Sequence, residues 1–189
     1  MLHIVTPLYR FENLVKIYYS INADLDIRWH ITKSNKREDI NLEFTKNDNR
    51  IILYNVDCED NEIYKKRNEV LKKIKDGYFC FLDDDTIFHE NMYKYYYEYS
   101  LQNYKGMIIG QQLDKNDKLR LFANEPKYTK IDTGNVLVHH SCLSNCEWPS
   151  KHRPGKNAKD SIFWESVFEF YDRKCVLINK PISYYNKLS

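Results

Sequence analysis

Glycine and proline are scarce in this chain, five of each in 189 residues, and they form no tract. That excludes collagen-like and linker-dominated architectures. No internal repeat is visible, which removes solenoids and propellers. The five cysteines are odd in number and scattered; reduced thiols are expected rather than a disulfide framework. Neither sign of charge is in excess, since 29 Lys+Arg against 27 Asp+Glu leave +2. Such a balance calls for no nucleic-acid or membrane-surface partner. No apolar run approaches the length of a membrane span, and the opening LHIVTPLY reads as a strand rather than a leader. A soluble, cytoplasmic chain without membrane insertion is expected. Tyrosine, by contrast, is plentiful at 16, and the chain is long enough to bury a real core as one domain.

Hydrophobic period switches repeatedly along the first half. Leu2 to Thr6 is expected as a strand broken by Pro7, and Leu14, Ile17, Tyr18 and Ile21 then recur at helical spacing. Ile27, Trp29 and Ile31 alternate with polar residues as in a half-buried strand, and IILYNV over Ile51 to Val56 is a third. A helix is predicted from Glu62 to Lys75, followed by the short apolar run Tyr78 to Leu82. This alternation predicts an α/β fold, a mainly parallel sheet covered by helices. In the second half, Asn91 to Asn103 reads as a tyrosine-rich helix. Gly106 to Gln112, Leu119 to Ala123 and Ile131 to His139 read as strands, and SIFWESVFEF as a late helix.

The strand at Tyr78 to Leu82 delivers three consecutive carboxylates, Asp83, Asp84 and Asp85. Their mutual repulsion implies a solvated turn or a bound cation. Open α/β sheets place ligands at the C-terminal ends of their strands, which favours the cation. Alternation along the strand would aim Asp83 and Asp85 to one side, the form of a D-x-D site for Mn or Mg against a diphosphate. Arg67 is the second informative residue, because it shares a helical stripe with Ile63, Val70, Leu71 and Ile74. It either snorkels from the rim of that stripe or grips a phosphate or a carboxylate such as Asp83. His139, His140, Cys142, Cys146 and His152 match no compact zinc-ligand spacing.

The passage KKRNEVLKKIKDGYFCFLDDDTIFHENMY resembles the R-N, G-x-Y, L-D-x-D stretch of inverting GT-A glycosyltransferases, which use nucleotide-diphosphate sugars. Arg67-Asn68, Gly77-Tyr78 and Leu82 to Asp85 carry the likeness. VTPLYRFENLVKIYYSI is similar to that family's first strand and helix, and its T-P-x-Y-R form is also similar to animal β-glucuronyltransferases. DTGNVLVHHSCL resembles the segment beneath the donor sugar, and KDSIFWESVFEF the helix bearing the catalytic base. The resemblance implies one GT-A domain over 1–189, with 1–90 binding the nucleotide sugar and 91–189 facing the acceptor. It implies Thr6, Pro7, Tyr9, Arg10, Arg67, Asp83, Asp84, Gly134 and Asn135 at the donor, and Asp83, Asp85 and His152 on Mn or Mg. Asp160 becomes the base. The implied donor is a UDP sugar, and the acceptor a carbohydrate, protein or lipid hydroxyl. Two positions depart from the pattern: Thr32, Lys33 and Ser34 stand where an aspartate usually reads the base, and Lys159 replaces the acid before Asp160.

Two other readings compete. FLDDDTIF is superficially similar to the D-x-D-x-T strand of aspartate-nucleophile phosphatases, but Ile87 occupies the threonine position and the motif lies mid-chain. A non-catalytic carbohydrate- or cation-binding module is the other, and turnover separates it from an enzyme.

Overall fold

The computed structural model describes residues 1–37, 42–45, 48–143, 145–150 and 159–189. In chain order the elements are β1 (Leu2–Pro7), α1 (Leu14–Ser20), β2 (Ile27–Ser34), β3 (Ile51–Val56), α2 (Ile63–Lys73), β4 (Tyr78–Phe81) and β5 (Ile87–Phe88). They continue with α3 (Glu90–Leu101), β6 (Met107–Leu113), β7 (Leu119–Leu121), β8 (Val136–His139), α4 (Lys159–Phe170) and β9 (Cys175–Tyr184). The strands join in one nine-stranded sheet of order β3-β2-β1-β4-β8-β6-β9-β5, with β7 paired to β6. The first four neighbours are parallel, as is β6 with β9, and these are the long pairings. Shorter antiparallel contacts attach β8, β7 and β5. The α/β, mostly parallel expectation therefore holds.

Strand alternation divides the core in two. Leu2, Ile4, Trp29, Cys80, Ile108 and Leu137 point to the face covered by Leu14 and Ile17 of α1 and Met92 and Tyr96 of α3. Val5, Phe79, Phe81, Met107, Ile109 and Val138 point to the opposite face, against Val70 of α2 and Phe163, Trp164 and Val167 of α4. Burying both faces is what makes a parallel sheet stable. Among the described residues no helix is long and apolar enough to cross a membrane.

The structure departs from the sequence reading in several places; the strand expected from Ile131 to His139, for one, is confined to Val136–His139 after a turn at Thr133–Asn135. β2 is buried on both faces rather than half-buried, since α2 covers its polar side. Its polar side chains are bonded inside the fold, His30 to His3 and Tyr54, Thr32 to the Thr6 carbonyl, and Ser34 to the Cys58 carbonyl. β9 has no counterpart in the sequence reading; Asn179-Lys180-Pro181 interrupts its alternation, and its pairing with β6 shifts register there. Ile87-Phe88 likewise has no counterpart in the sequence reading; it is a two-residue strand because Tyr184 and Ser183 of β9 pair with it. α3 then starts at Glu90, capped by His89.

Gly77 admits the chain to β4. Its φ is +71°, and an added Cβ would meet the Met1 carbonyl at 2.6 Å. Only glycine tolerates both.

A buried polar chain crosses the first strands. His3 Nδ1 lies 3.0 Å from His30 Nε2, and His30 Nδ1 lies 3.0 Å from the Tyr54 hydroxyl. Asp76 Oδ1 is 3.4 Å from His3 Nε2. A carboxylate only accepts, so the favoured tautomers carry protons on both Nε2 atoms while Tyr54 donates to His30. Burial pushes both imidazoles below their ordinary value of 6.5, His30 to about 3. The unfolded chain therefore binds more protons below pH 6.5, and stability present above that pH is lost as pH falls toward 3. The expected slope is about 1.4 kcal/mol per pH unit for each depressed imidazole. Urea unfolding at about pH 7.5 and about pH 5.5 checks this, with His30→Gln flattening the difference. Equal wild-type stability at both values would show that the histidines titrate normally.

Candidate active site

β1 and β4 are parallel neighbours, so the segments leaving their C-terminal ends meet above the sheet edge. One carries Tyr9 and Arg10, the other Asp83 to Asp85. With α2 and α4 they enclose a cleft of about 450 Å³ whose lining includes Pro7, Tyr9, Arg10, Arg67, Asp83, Asp84, Asp85 and Asp160. Asn61, Ile63, Tyr64, Trp148 and Lys159 complete it.

Arg67 does not snorkel. Its side chain is 5% exposed, with Nη2 donating to Asp83 Oδ1 at 2.6 Å and Nη1 to Asp160 Oδ1 at 2.9 Å. The guanidinium carbon sits 4.1 Å from the centre of the Trp148 ring, which is stacked in turn on Phe163. Neighbouring Asn68 holds that tryptophan by its backbone, donating to the Trp148 carbonyl at 3.1 Å and accepting from its N–H at 2.7 Å. Burial disfavours the guanidinium charge, but Asp83 and Asp160 outweigh it and raise the pKa above its ordinary value. Arg-Asn is thus a unit: the arginine lies on the aromatic platform that the asparagine clamps.

The acidic turn divides differently from strand alternation. β4 ends at Phe81, so Asp83 to Asp85 follow turn geometry, closed by Thr86 N–H donating to the Asp83 carbonyl at 3.0 Å. Asp83 faces Arg67 and accepts from the Thr133 hydroxyl at 3.2 Å. Asp84 accepts from the Tyr9 and Arg10 backbone N–H groups, and Asn13 donates to its carbonyl at 2.8 Å. Arg10 Nη1 then bridges Asp84 Oδ1 at 2.9 Å and Asp85 Oδ2 at 2.8 Å. Burial raises the pKa of both Asp84 and Asp85; Arg10 opposes this in each, while Asp83 adds to the rise at Asp85.

Asp160 lies in the first turn of α4. Burial pushes its pKa up, Arg67 opposes, and the charges of Asp83 and Asp132 reinforce the rise. Asp132 is held by Arg120 at 2.8 Å and by the Thr133 hydroxyl at 3.0 Å. Lys159 turns away from its neighbour, donating to the Ser150 carbonyl at 3.0 Å and lying over the Tyr64 ring.

Some expected residues sit elsewhere. Thr6 accepts from the Trp29 indole inside the core. Gly134 is packed against Gln112, whose Nε2 would lie 2.9 Å from an added Cβ. Asn135 is buried, donating to the Gly110 carbonyl at 3.1 Å and accepting from Asp132 N–H at 2.9 Å. His152 lies outside the described residues. Lys66 escaped the sequence reading: fully buried, it donates to the Leu8 carbonyl at 2.7 Å and to Asp60 Oδ1 at 2.9 Å, anchoring the turn after β1. The signal was present, since Ile63, Lys66, Arg67 and Val70 have helix-face spacing.

Four carboxylates and three cationic groups, Arg10, Arg67 and Lys159, line the cleft, and only the two arginines pair with the carboxylates among the described residues. The excess negative charge and the hard oxygen donors suit Mg or Mn. Among the described residues no three His, Cys, Asp or Glu side chains converge as a metal cage. Phosphate oxygens and water would therefore have to supply most of a cation's shell.

No protein-family model and no curated protein matches this sequence. Its architecture is nevertheless similar to that of Staphylococcus aureus TarS, with a TM-score of 0.72 at 15% identity, covering 97% of this chain and 36% of that one. The TarS 1–349 structure in complex with UDP gives 0.69 at 16% identity, over 97% and 59% of the two chains. The same fragment with UDP-GlcNAc gives 0.67 at 15%, over 97% and 57%. The fold is the GT-A fold. The chain spans only 36%, 59% and 57% of these TarS structures. In GT-A terms the observed cleft lies at the C-terminal ends of the first parallel strands.

Arg67→Lys provides a direct test of the buried junction. An ammonium keeps the charge, yet it cannot fork to two carboxylates while lying flat on Trp148. The variant is expected to lose roughly 1–3 kcal/mol of stability, discounted from a fully buried pair because Asp83 and Asp160 remain partly exposed. An unchanged urea midpoint would deny Arg67 its structural role.

Proposed function

We propose that this chain transfers a sugar from a nucleotide-diphosphate donor of the UDP-sugar class to an acceptor hydroxyl, with inversion at the anomeric carbon. One observation carries the reading: Arg67 joins Asp83, at the sheet edge, to Asp160, at the start of α4, across a single cleft. The GT-A fold and the UDP and UDP-GlcNAc complexes of TarS support the donor class.

Residues 1–90 hold the donor in this proposal and 91–189 face the acceptor. Tyr9, half exposed at the rim, offers a ring to the base. Arg10 and Arg67 offer cationic donors to the diphosphate. A divalent cation, Mn or Mg, held by Asp83 and Asp85, would stabilise the negative charge that develops on the leaving diphosphate.

Asp160 accepts the proton of the acceptor hydroxyl. As that oxygen bonds to the anomeric carbon, the bond to the diphosphate oxygen breaks and its electron pair leaves with the phosphate. Arg67 occupies Oδ1 of Asp160, leaving Oδ2 for the proton. Burial raises the basicity of the carboxylate, and Arg67 fixes its direction.

Thermal shift with UDP-GlcNAc and Mn is expected to raise the melting temperature, because a ligand of the native state stabilises it by mass action. Asp160→Asn should retain UDP binding while turnover falls by about 10²-fold or more. Near-wild-type turnover would remove Asp160 as the base. Proton NMR of the first product from an α-linked donor should show a β linkage; an α product would defeat inversion.

A further inference from the structure

The two arginines of the cleft are built differently. Arg67 is 5% exposed and lies flat on Trp148, whereas the Arg10 side chain is 42% exposed. Among the described residues, the polar contacts of the Arg10 side chain all run through Nη1, to Asp84 and Asp85. Asp84 is fixed without it, by two backbone N–H groups and by Asn13 at its carbonyl. Asp85 is not. Apart from Arg10, among the described residues its carboxylate meets only the adjoining Thr86 hydroxyl at 3.2 Å. Asp85 is also, with Asp83, the carboxylate given above to the divalent ion, which would then sit beside the positive charge of Arg10. Arg10 and such an ion therefore compete for the negative charge of Asp85.

We propose that Arg10 is the resting counter-ion of Asp85, yields that carboxylate to an incoming divalent cation, and then grips the donor's diphosphate. The inference rests on the donor reading given above. It has two consequences of opposite sign. Arg10 competes with a cation arriving alone, so it weakens cation binding. It assists a nucleoside diphosphate once the cation is in place, so it strengthens nucleotide binding. Cation and nucleotide thereby become coupled through one side chain, and the coupling is reciprocal. A residue that merely propped up the turn would do neither, since the Arg10 backbone N–H would still hold Asp84 in any side-chain variant.

Isothermal titration of wild type, Arg10→Gln and Arg10→Lys tests this, first with MnCl2 alone and then with UDP at saturating Mn. Arg10→Gln should bind Mn alone roughly two- to fivefold more tightly, the effect of removing one half-exposed ion pair. Its affinity for UDP at saturating Mn should fall about tenfold or more, as expected for a lost charged hydrogen bond. Arg10→Lys keeps the positive charge and should bind Mn alone as wild type does. Wild-type UDP binding combined with unchanged or weaker Mn binding by Arg10→Gln would overturn this inference alone. Failure of wild type to bind UDP with Mn would overturn the donor reading and this inference with it.

Discussion

A buried guanidinium ties the molecule together. Arg67 comes from α2, Asp83 from the turn after β4, Asp160 from α4 and Trp148 from the segment before it, so one side chain joins elements separated by most of the sequence. Each partner answers a cost the others create. Burying the arginine disfavours its charge, and two carboxylates restore it; burying Asp160 raises its pKa, and the arginine restrains the rise. The stacked Trp148 and Phe163 rings exclude water from one side of the pair, and Asn68 keeps Trp148 in register. Removing both carboxylates would leave the buried guanidinium without a counter-charge.

The two-sided sheet makes that junction possible. Because successive residues of β1, β4, β6 and β8 feed opposite cores, α2 and α4 are pressed onto one face and α1 and α3 onto the other. The strand ends are left uncovered at one edge, where the acidic turn and the turn after β1 meet. Lys66 sets the latter turn from below and Asn13 holds the former from the side. These contacts frame the cleft, at whose rim Tyr9 and Arg10 stay half exposed.

Much of the first half was legible. The strands at Leu2, Ile51 and Tyr78 and the helix through Arg67 follow from period and from bounding residues such as Gly77, because neighbouring residues decide those features. The pairing of Arg67 with Asp83 was among the readings open in the sequence, since a lone arginine on an apolar stripe demands a partner. β5 and β9 were not legible. β5 is two residues long and owes its extended form to Tyr184 and Ser183, while β9 carries a proline and shifts register against β6. Thr6, Gly134 and Asn135 lie inside the fold and not on the cleft, because the indole of Trp29, the side chain of Gln112 and the carbonyl of Gly110 reach them first.

By itself the sequence determined the α/β class, the order of the early elements and the delivery of three carboxylates to a strand end. Each depends on local period and on side-chain chemistry along a short stretch. Tertiary structure alone decided how those carboxylates were shared. Asp83 went to Arg67, which it shares with Asp160, and Asp84 and Asp85 went to Arg10, because the strand ends at Phe81 and the turn that follows obeys contacts from distant elements. An ion pair across 93 positions of chain, such as Arg67 with Asp160, has no local signature; it exists only once the sheet has brought α2 and α4 to the same face.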